Sequence, residues 1–217
     1  MDALSSVSIR KFISSDREEL RRISYETAFH GLKQGVVFSD SEILADALTL
    51  YHTDYEPSSC FVAVAHSRVV GYIIGTKDVS LMERISRKKI FFPLIWKALR
   101  RRFFLNGGNL KFLFYCFMSA CKGEFFMPNF SKRFPAMLHI NIDSNYRSGG
   151  VGERLIQTFE AYLKEQGSSG VHFGTFSEGA KDFFIKMGFK ILFQGRRSYL
   201  KPYLGKEINF YIFGKQF

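Results

Sequence analysis

A short glycine-rich loop separates an apolar, β-branched run from a run with helical spacing. The first run covers residues 137–142, and the loop reads Tyr-Arg-Ser-Gly-Gly-Val-Gly over residues 146–152. Apolar residues then recur with the period of an amphipathic helix, at Val151, Leu155, Ile156, Phe159 and Leu163. The sequence therefore predicts a strand, a tight turn and a helix in succession. Such a turn directs backbone N–H groups to the positive end of the helix dipole, which favours a phosphate or pyrophosphate.

The glycine spacing does not fit two common phosphate-binding loops. A P-loop ends in Gly-Lys-Ser/Thr, whereas Glu153 follows Gly152 here. A dinucleotide-binding fingerprint requires a third glycine at the position that Leu155 occupies. On the glycines alone, an ordinary β–α turn without a ligand stays open as the alternative.

Three segments together resemble one family. The pattern Arg147-x-x-Gly150-x-Gly152 resembles the acyl-coenzyme A signature of the GNAT N-acetyltransferases. Residues 180–189 resemble the family's Ala-x-x-Phe-Tyr-x-x-x-Gly-Phe stretch, and residues 61–75 resemble its central hairpin. The resemblance implies an α/β fold in one domain, residues 1–217, with a mixed, mostly antiparallel seven-stranded sheet flanked by helices. It places a helical insertion, about residues 79–134, between strands 3 and 4, and it implies that strands 4 and 5 splay apart.

The resemblance also implies a function and a cofactor site. It implies transfer of an acetyl group from acetyl-CoA (coenzyme A) to a primary amine of a small-molecule or protein acceptor. The backbone of strand 4 would pair with pantetheine, and the loop would bind the pyrophosphate. The helix near residues 179–187 would complete the site. The predicted cofactor-binding residues are Ile140, Asn141, Ile142, Arg147, Ser148, Gly149, Gly150, Val151, Gly152, Glu153, Ser177, Phe183 and Phe184.

Amine acetylation needs a base for the attacking ammonium and a proton for the leaving thiolate. His139 is the first candidate base, because it lies on strand 4, shares a face with Asn141 and Asp143, and is neutral near pH 7. Asp143 and Glu124 complete the candidate catalytic set. Phe184 replaces the tyrosine that protonates the thiolate in many family members, so a catalytically weak, acyl-CoA-binding interaction module is the alternative function.

The net charge of +11 is concentrated in one segment. Residues 82–134 hold 12 Lys and Arg against 2 Asp and Glu, together with 11 of the 25 phenylalanines. Helical spacing predicts two helices there. The first helix would bury Phe91, Leu94, Ile95 and Ala98. The second helix would be mostly buried, and its apolar row would consist of Leu110, Leu113, Phe114, Phe117 and Cys121. The simpler interpretation is a cap over the acceptor cleft. The sharper one is docking of this segment on an acidic acceptor or on an anionic membrane, with peripheral membrane contact through residues 84–104. Nucleic acid is disfavoured because no recognition motif accompanies the charge.

The rest of the composition predicts the cellular compartment, metal content and oligomeric state of the protein. Three cysteines without CxxC spacing predict a reduced cytoplasmic protein without a metal site. No apolar signal core follows Asp2, and no apolar run is long enough to span a bilayer. A monomer or a homodimer is expected.

Overall fold

The computed structural model of the chain describes residues 7–29, 32, 35–147 and 149–217. Strands and helices occur in the order β-α-α-β-β, an insertion, and then β-α-β-α-β-α-β, which is the predicted order with one short added helix, α8. The elements are β1 Ser8–Lys11, α1 Arg17–Thr27, α2 Ser41–Asp54, β2 Cys60–Ala65, β3 Arg68–Thr76, α3 Val79–Ile85, α4 Phe92–Arg100, α5 Gly107–Cys121, β4 Ala136–Ile142, α6 Val151–Glu165, β5 Gly170–Thr175, α7 Glu178–Lys186, β6 Lys190–Arg197, α8 Lys201–Leu204 and β7 Ile208–Gln216.

The seven strands form one mixed sheet in the order β1-β2-β3-β4-β5-β7-β6. Every neighbouring pair is antiparallel except β4 and β5, which are parallel. The predicted seven-stranded sheet is therefore confirmed. The predicted apolar positions of α6 are buried against one face of the sheet, and Leu20 and Ile23 of α1 pack against Tyr72 and Ile74 on the other.

Gly75 allows α6 to lie directly on the sheet. A Cβ atom at this position would lie 2.2 Å from Cζ of Phe159 in α6 and 2.4 Å from the carbonyl oxygen of Met137 in β4. Both distances are shorter than any real carbon contact, so only glycine fits where the helix crosses the hairpin.

The insertion between β3 and β4 contains three helices, with a π-helical turn, Ser86–Phe91, joining α3 to α4. α4 is fixed to α2 by ion pairs. The Lys97 Nζ atom lies 2.6 Å from an Asp46 carboxylate oxygen, and Arg101 Nε lies 2.5 Å from an Asp40 oxygen. Burial raises the pKa of Asp46, but hydrogen bonds from Lys97 and Arg21 outweigh burial and leave the pKa below its ordinary value.

The predicted buried faces of these helices are partly wrong. In α4, Leu94 and Ala98 face inward as predicted, but Phe91 and Ile95 are exposed. In α5, the whole predicted apolar row from Leu110 to Cys121 is exposed. The inner face of α5 instead carries Asn109, whose side-chain amide donates to the Phe103 carbonyl and whose oxygen accepts from Ser39. Because a buried amide needs partners, these polar contacts fix the helix rotation more strongly than periodicity indicates.

Candidate active site

β4 and β5 separate after two paired positions. The parallel ladder joins Ala136 to Val171 and Met137 to His172, and it ends there. β5 continues along β7 as far as Thr175, whereas β4 continues along β3 as far as Ile142. The predicted splay of strands 4 and 5 is confirmed, and it leaves a V-shaped gap with one strand on each side.

The backbone of alternate β4 residues points into this gap. The Asp143 N–H donates to the Val70 carbonyl at 2.9 Å, so residues 139, 141 and 143 direct their backbone groups at β3. The groups of Ile140 and Ile142 then face the gap. Asn141 was also predicted to pair through its backbone. Its N–H and C=O belong to the β3 ladder, so the register argues against a backbone contact of Asn141 with pantetheine.

The glycine loop closes the wide end of the gap. After a single 3₁₀ turn, Ser144–Tyr146, the chain reaches Gly150, which has φ +72° and precedes the first residue of α6. The first backbone hydrogen bond of the helix runs from the Arg154 N–H to the Gly150 carbonyl at 3.1 Å. The N–H groups of Val151, Gly152 and Glu153 precede that bond, so they have no partner within the helix and suit an anion. Ser148 lies outside the described residues.

Side chains around the loop pack closely. A Cβ atom on Gly152 would lie 3.1 Å from Cδ1 of Ile142 and 3.4 Å from Cζ of Phe183. Gly152 therefore brings the start of α6 against both β4 and α7. Arg147 is exposed, and its Nε donates to the Ile142 carbonyl at 3.1 Å, so its guanidinium lies at the end of β4. The Glu153 carboxylate accepts from Gln157 one turn later in α6.

His139 belongs to a hydrogen-bonded row on the opposite face of β4. The Asn141 amide nitrogen lies 2.8 Å from His139 Nε2 and 2.7 Å from the Tyr72 hydroxyl. Asn141 can donate to both, which leaves the His139 proton on Nδ1. Burial, and beyond it the nearby His52, lowers the pKa of His139 to about 4. The ring is therefore neutral near pH 7, as predicted, but it is a weaker base than a free imidazole and its lone pair is occupied.

The other two candidate bases are engaged in turns. Asp143 follows the last residue of β4, and its carboxylate accepts the N–H of Asn145. Glu124 follows α5, where its carboxylate accepts the Ser119 hydroxyl together with the N–H and hydroxyl of Ser198. Burial raises the pKa of Glu124, but these hydrogen bonds outweigh burial and lower it overall. These hydrogen bonds occupy the Glu124 carboxylate, and its role as a base stays a prediction.

The residues predicted on α7 lie at different depths. Ser177 is the N-cap of the helix, where its hydroxyl accepts the Ala180 N–H at 3.2 Å. Phe183 is half-buried and faces Gly152. Phe184 is 5% exposed, with its ring centroid 4.5 Å from that of Phe173 on β5. Its side chain forms part of the core, and its position gives no support to a predicted cofactor contact.

A cavity of about 240 Å³ opens beyond the carboxyl end of β5. Phe29, Phe176 and Tyr199 give it aromatic walls, Glu178 and Glu207 add carboxylates, and Lys206 adds an ammonium group. Glu178 begins α7 and accepts from Tyr211 and Asn209; these hydrogen bonds lower its pKa, so it is ionised near neutral pH.

Sequence reasoning missed two members of the His139 surroundings. Tyr72 stands opposite Asn141 in the β3–β4 register, and His52 comes from the last turn of α2, where Nδ1 lies 2.8 Å from the Gly75 carbonyl oxygen. Burial lowers the pKa of His52. The hairpin register could have indicated Tyr72, but no spacing in the sequence brings α2 to this face.

Comparisons with known proteins agree with this geometry. The profile of the acetyltransferase (GNAT) family matches residues 30–189. No curated protein sequence matches the chain. Solved structures similar in fold include a protein designated SsHAT, with 22% identity, a TM-score of 0.70 and coverage of 97% of this chain and 98% of the other. Drosophila melanogaster polyamine N-acetyltransferase, which forms N-acetylagmatine, is 15% identical, with a TM-score of 0.62 and coverage of 97% and 100%. The putative acetyltransferase yncA from Salmonella typhimurium, solved with acetyl-CoA, is 11% identical, with a TM-score of 0.57 and coverage of 97% and 94%.

Proposed function

The chain belongs to the acetyltransferase (GNAT) family, and we propose that residues 1–217 form one domain that transfers an acetyl group from acetyl-CoA to a primary amine. The observation that carries this proposal is the separation of β4 from β5 beside the glycine-led start of α6. This arrangement offers an extended backbone edge and a helix N-terminus within a few residues of each other. The two features match the two ends of coenzyme A, an amide-containing arm and a pyrophosphate.

The coenzyme would lie with its pantetheine arm along the exposed edge of β4. The N–H and C=O groups of Ile140 and Ile142 supply strand-like partners for the two pantetheine amides. The N–H groups of residues 149–153 surround the pyrophosphate position, and Arg147 is close enough in sequence to add a charge-assisted contact. Its present hydrogen bond to the Ile142 carbonyl would be exchanged for one to phosphate.

The acceptor amine would occupy the cavity beyond β5. The carboxylates of Glu178 and Glu207 outnumber the one ammonium group of the lining, that of Lys206, so the cavity favours an ammonium group. The rings of Phe29, Phe176 and Tyr199 favour a cation or an apolar chain next to it. A small polyamine-like acceptor fits this combination. Formation of N-acetylagmatine by the similar Drosophila enzyme supports the same class of acceptor.

The chemistry requires few side chains. The amine nitrogen forms a bond to the acyl carbon, the C–S bond breaks, and the proton lost by the amine is taken up by the thiolate. His139 is the proposed base. It would act once the Asn141 amide no longer donates a hydrogen bond to the Nε2 atom of His139. Because Phe184 has no hydroxyl and lies in the core, thiolate protonation would occur directly within the intermediate or through water.

Calorimetry tests the binding of acetyl-CoA, which this proposal and the alternative of an interaction module both require. Arg147→Glu is expected to weaken binding about tenfold, because it replaces a charge-assisted contact with repulsion. Lys190→Glu, at the exposed start of the edge strand β6, gives the same charge change away from the loop and should leave binding unaltered. Failure of the wild type to bind millimolar acetyl-CoA would refute the proposal.

Thiol release separates the enzyme from the alternative function. A catalytically weak, acyl-CoA-binding interaction module is favoured by one specific observation, the core position of Phe184. With acetyl-CoA and a panel of primary amines, an enzyme releases free thiol in step with acetylated amine. Tight acetyl-CoA binding without thiol release from any amine would support the interaction module.

A further inference from the structure

The insertion exposes an apolar row on α4 that no described residue covers. Phe92, Ile95, Trp96 and Leu99 follow one another at helical spacing and share one face of the helix. Phe92 is 66% exposed and Trp96, the one tryptophan of the chain, is 57% exposed. Exposed rings grouped on one helix face mark an interaction surface rather than ordinary surface residues.

The rotation of α4 is fixed from its other side. Leu94 and Ala98 pack in a cluster with Ile43 of α2, and Lys97 pairs with Asp46. The outer row is therefore held in solvent by contacts of the inner face. Rotation that buried Phe92 and Trp96 would break both the apolar cluster and the ion pairs.

The cations of the same region are divided between the two sides of the helix. Lys97 and Arg101 are neutralised by carboxylates of the α1–α2 region. Six other basic residues are exposed and form no ion pair within the described residues: Arg84, Arg87, Lys88, Lys89, Arg100 and Arg102. The Arg100 guanidinium lies over the Trp96 ring, 5.2 Å from its centroid. Unpaired positive charge thus flanks the exposed aromatic row in sequence, and Arg100 contacts it.

α5 repeats this pattern. Leu110, Phe114 and Phe117 are exposed on one face, while Phe112 on the inner face packs edge-on against Phe29 and Phe38. Lys111 is exposed, and its Nζ lies over the Tyr203 ring of α8, 5.8 Å from the ring centroid. Two consecutive helices therefore leave apolar side chains uncovered, together with basic ones.

We propose that the outer face of α4, with residues 84–102 around it, docks on the surface of an anionic lipid bilayer. Aromatic and aliphatic side chains combined with unpaired Lys and Arg are the features of helices that lie in a membrane interface. None of the helices in the described ranges is long and apolar enough to cross a bilayer, so α4 would lie flat. A second copy of the chain is a poor occupant, because it would bring two strongly basic segments together.

Trp96 supplies a direct probe of this proposal. Its fluorescence emission is expected to shift to shorter wavelength when the wild-type protein is mixed with phosphatidylcholine vesicles that contain phosphatidylserine. Vesicles of phosphatidylcholine alone should produce little shift, because the basic residues gain nothing from a neutral surface. An unchanged emission with both vesicle types, or an equal shift with both, overturns the proposal. Unchanged emission would favour an acidic protein as the partner of this face.

Sedimentation with phosphatidylserine vesicles tests the charges and the rings separately. Lys88→Gln with Lys89→Gln is expected to weaken partition about 30-fold, since each cation contributes a factor of about five near an anionic surface. The matched pair Arg68→Gln with Lys190→Gln removes the same charge elsewhere and should leave partition nearly unaltered. Phe92→Ser should weaken partition on the order of tenfold, whereas Ile185→Ser, an exposed residue of α7, is its control. Equal sedimentation of the α4 variants and their controls overturns the proposal.

Discussion

Acidification from pH 7 to pH 5 is expected to destabilise the folded protein through His139. An unfolded histidine titrates near pH 6.5, whereas burial and neighbouring His52 lower the pKa of His139 to about 4. Between these values the unfolded chain binds a proton that the folded chain does not bind. The free energy of unfolding therefore falls as the pH decreases through this window, and the stabilisation is fully present above pH 6.5.

The two pKa values fix the size of the effect. Proton linkage gives a loss of about 2 kcal/mol between pH 7 and pH 5, and about 3 kcal/mol once both states are protonated. Because His139 as a residue is half-buried and not fully enclosed, these figures are upper bounds. Even half of the smaller value is a substantial part of the stability of a typical domain.

Urea unfolding of wild type and His139→Gln, followed by circular dichroism at the two pH values, isolates this contribution. Glutamine retains an acceptor for the Asn141 amide but does not titrate. His52 is present in both proteins, so its own titration cancels except for its coupling to His139. The wild type should lose up to about 2 kcal/mol more than the variant on acidification. In NMR spectra, the imidazole resonance missing from the variant should titrate near pH 4. An equal pH dependence of the two proteins, or a midpoint near 6.5, would refute the reasoning.

Three further substitutions test other parts of the structure. Gly75→Ala should lower the free energy of unfolding by about 3 kcal/mol, because its Cβ would overlap Phe159, whereas Gly179→Ala, with open space around it, should be nearly neutral in the same urea titration. Asp46→Asn should lower the free energy of unfolding by about 3 kcal/mol, because it leaves buried Arg21 with one carboxylate fewer. A loss no larger than the roughly 1 kcal/mol of an exposed ion pair would contradict this. Glu124→Gln should reduce stability by about 1 kcal/mol and leave the rate of thiol release unaltered; a large fall in kcat at unchanged stability would identify a catalytic role.

Much of the fold could be predicted because the sequence signals for it are of two kinds. Some are local patterns of periodicity and glycine, and others are several motifs that follow one another along the chain in the order typical of one family. The strand, glycine loop and helix of residues 136–165 follow from periodicity and from the conformational freedom of glycine at Gly150. The combination of this loop with the hairpin and with residues 180–189 indicated the family and the splayed strands. Family membership, the N-acetyltransferase class and acetyl-CoA as cofactor are confirmed.

The rest depended on contacts between distant parts of the chain. The rotation of α5 is set by Asn109 and its bonds to Ser39 and Phe103, which hydrophobic periodicity does not register. The position of Glu124 depends on Ser198, which lies far away in the sequence. Likewise, the low basicity of His139 arises from burial and from a helix whose approach no motif indicates. The individual catalytic and cofactor-binding residues stay predictions.

The π-helical turn at Ser86–Phe91 sets the phase of α4 by residue count. A π turn accommodates one residue more than an α-helical turn without breaking the helix. Deletion of a single residue there would rotate α4 by about 100° relative to α3. Ile95 would then take the place of Leu94 beside α2, and Lys97 would take the outward place of Trp96 and leave Asp46. Substitutions in α4 can change this surface only one side chain at a time, whereas a single deletion or insertion in the π turn would rotate the whole face by more than a quarter turn. Length variation in these six residues is therefore a stronger route to gaining or losing the surface than any point change.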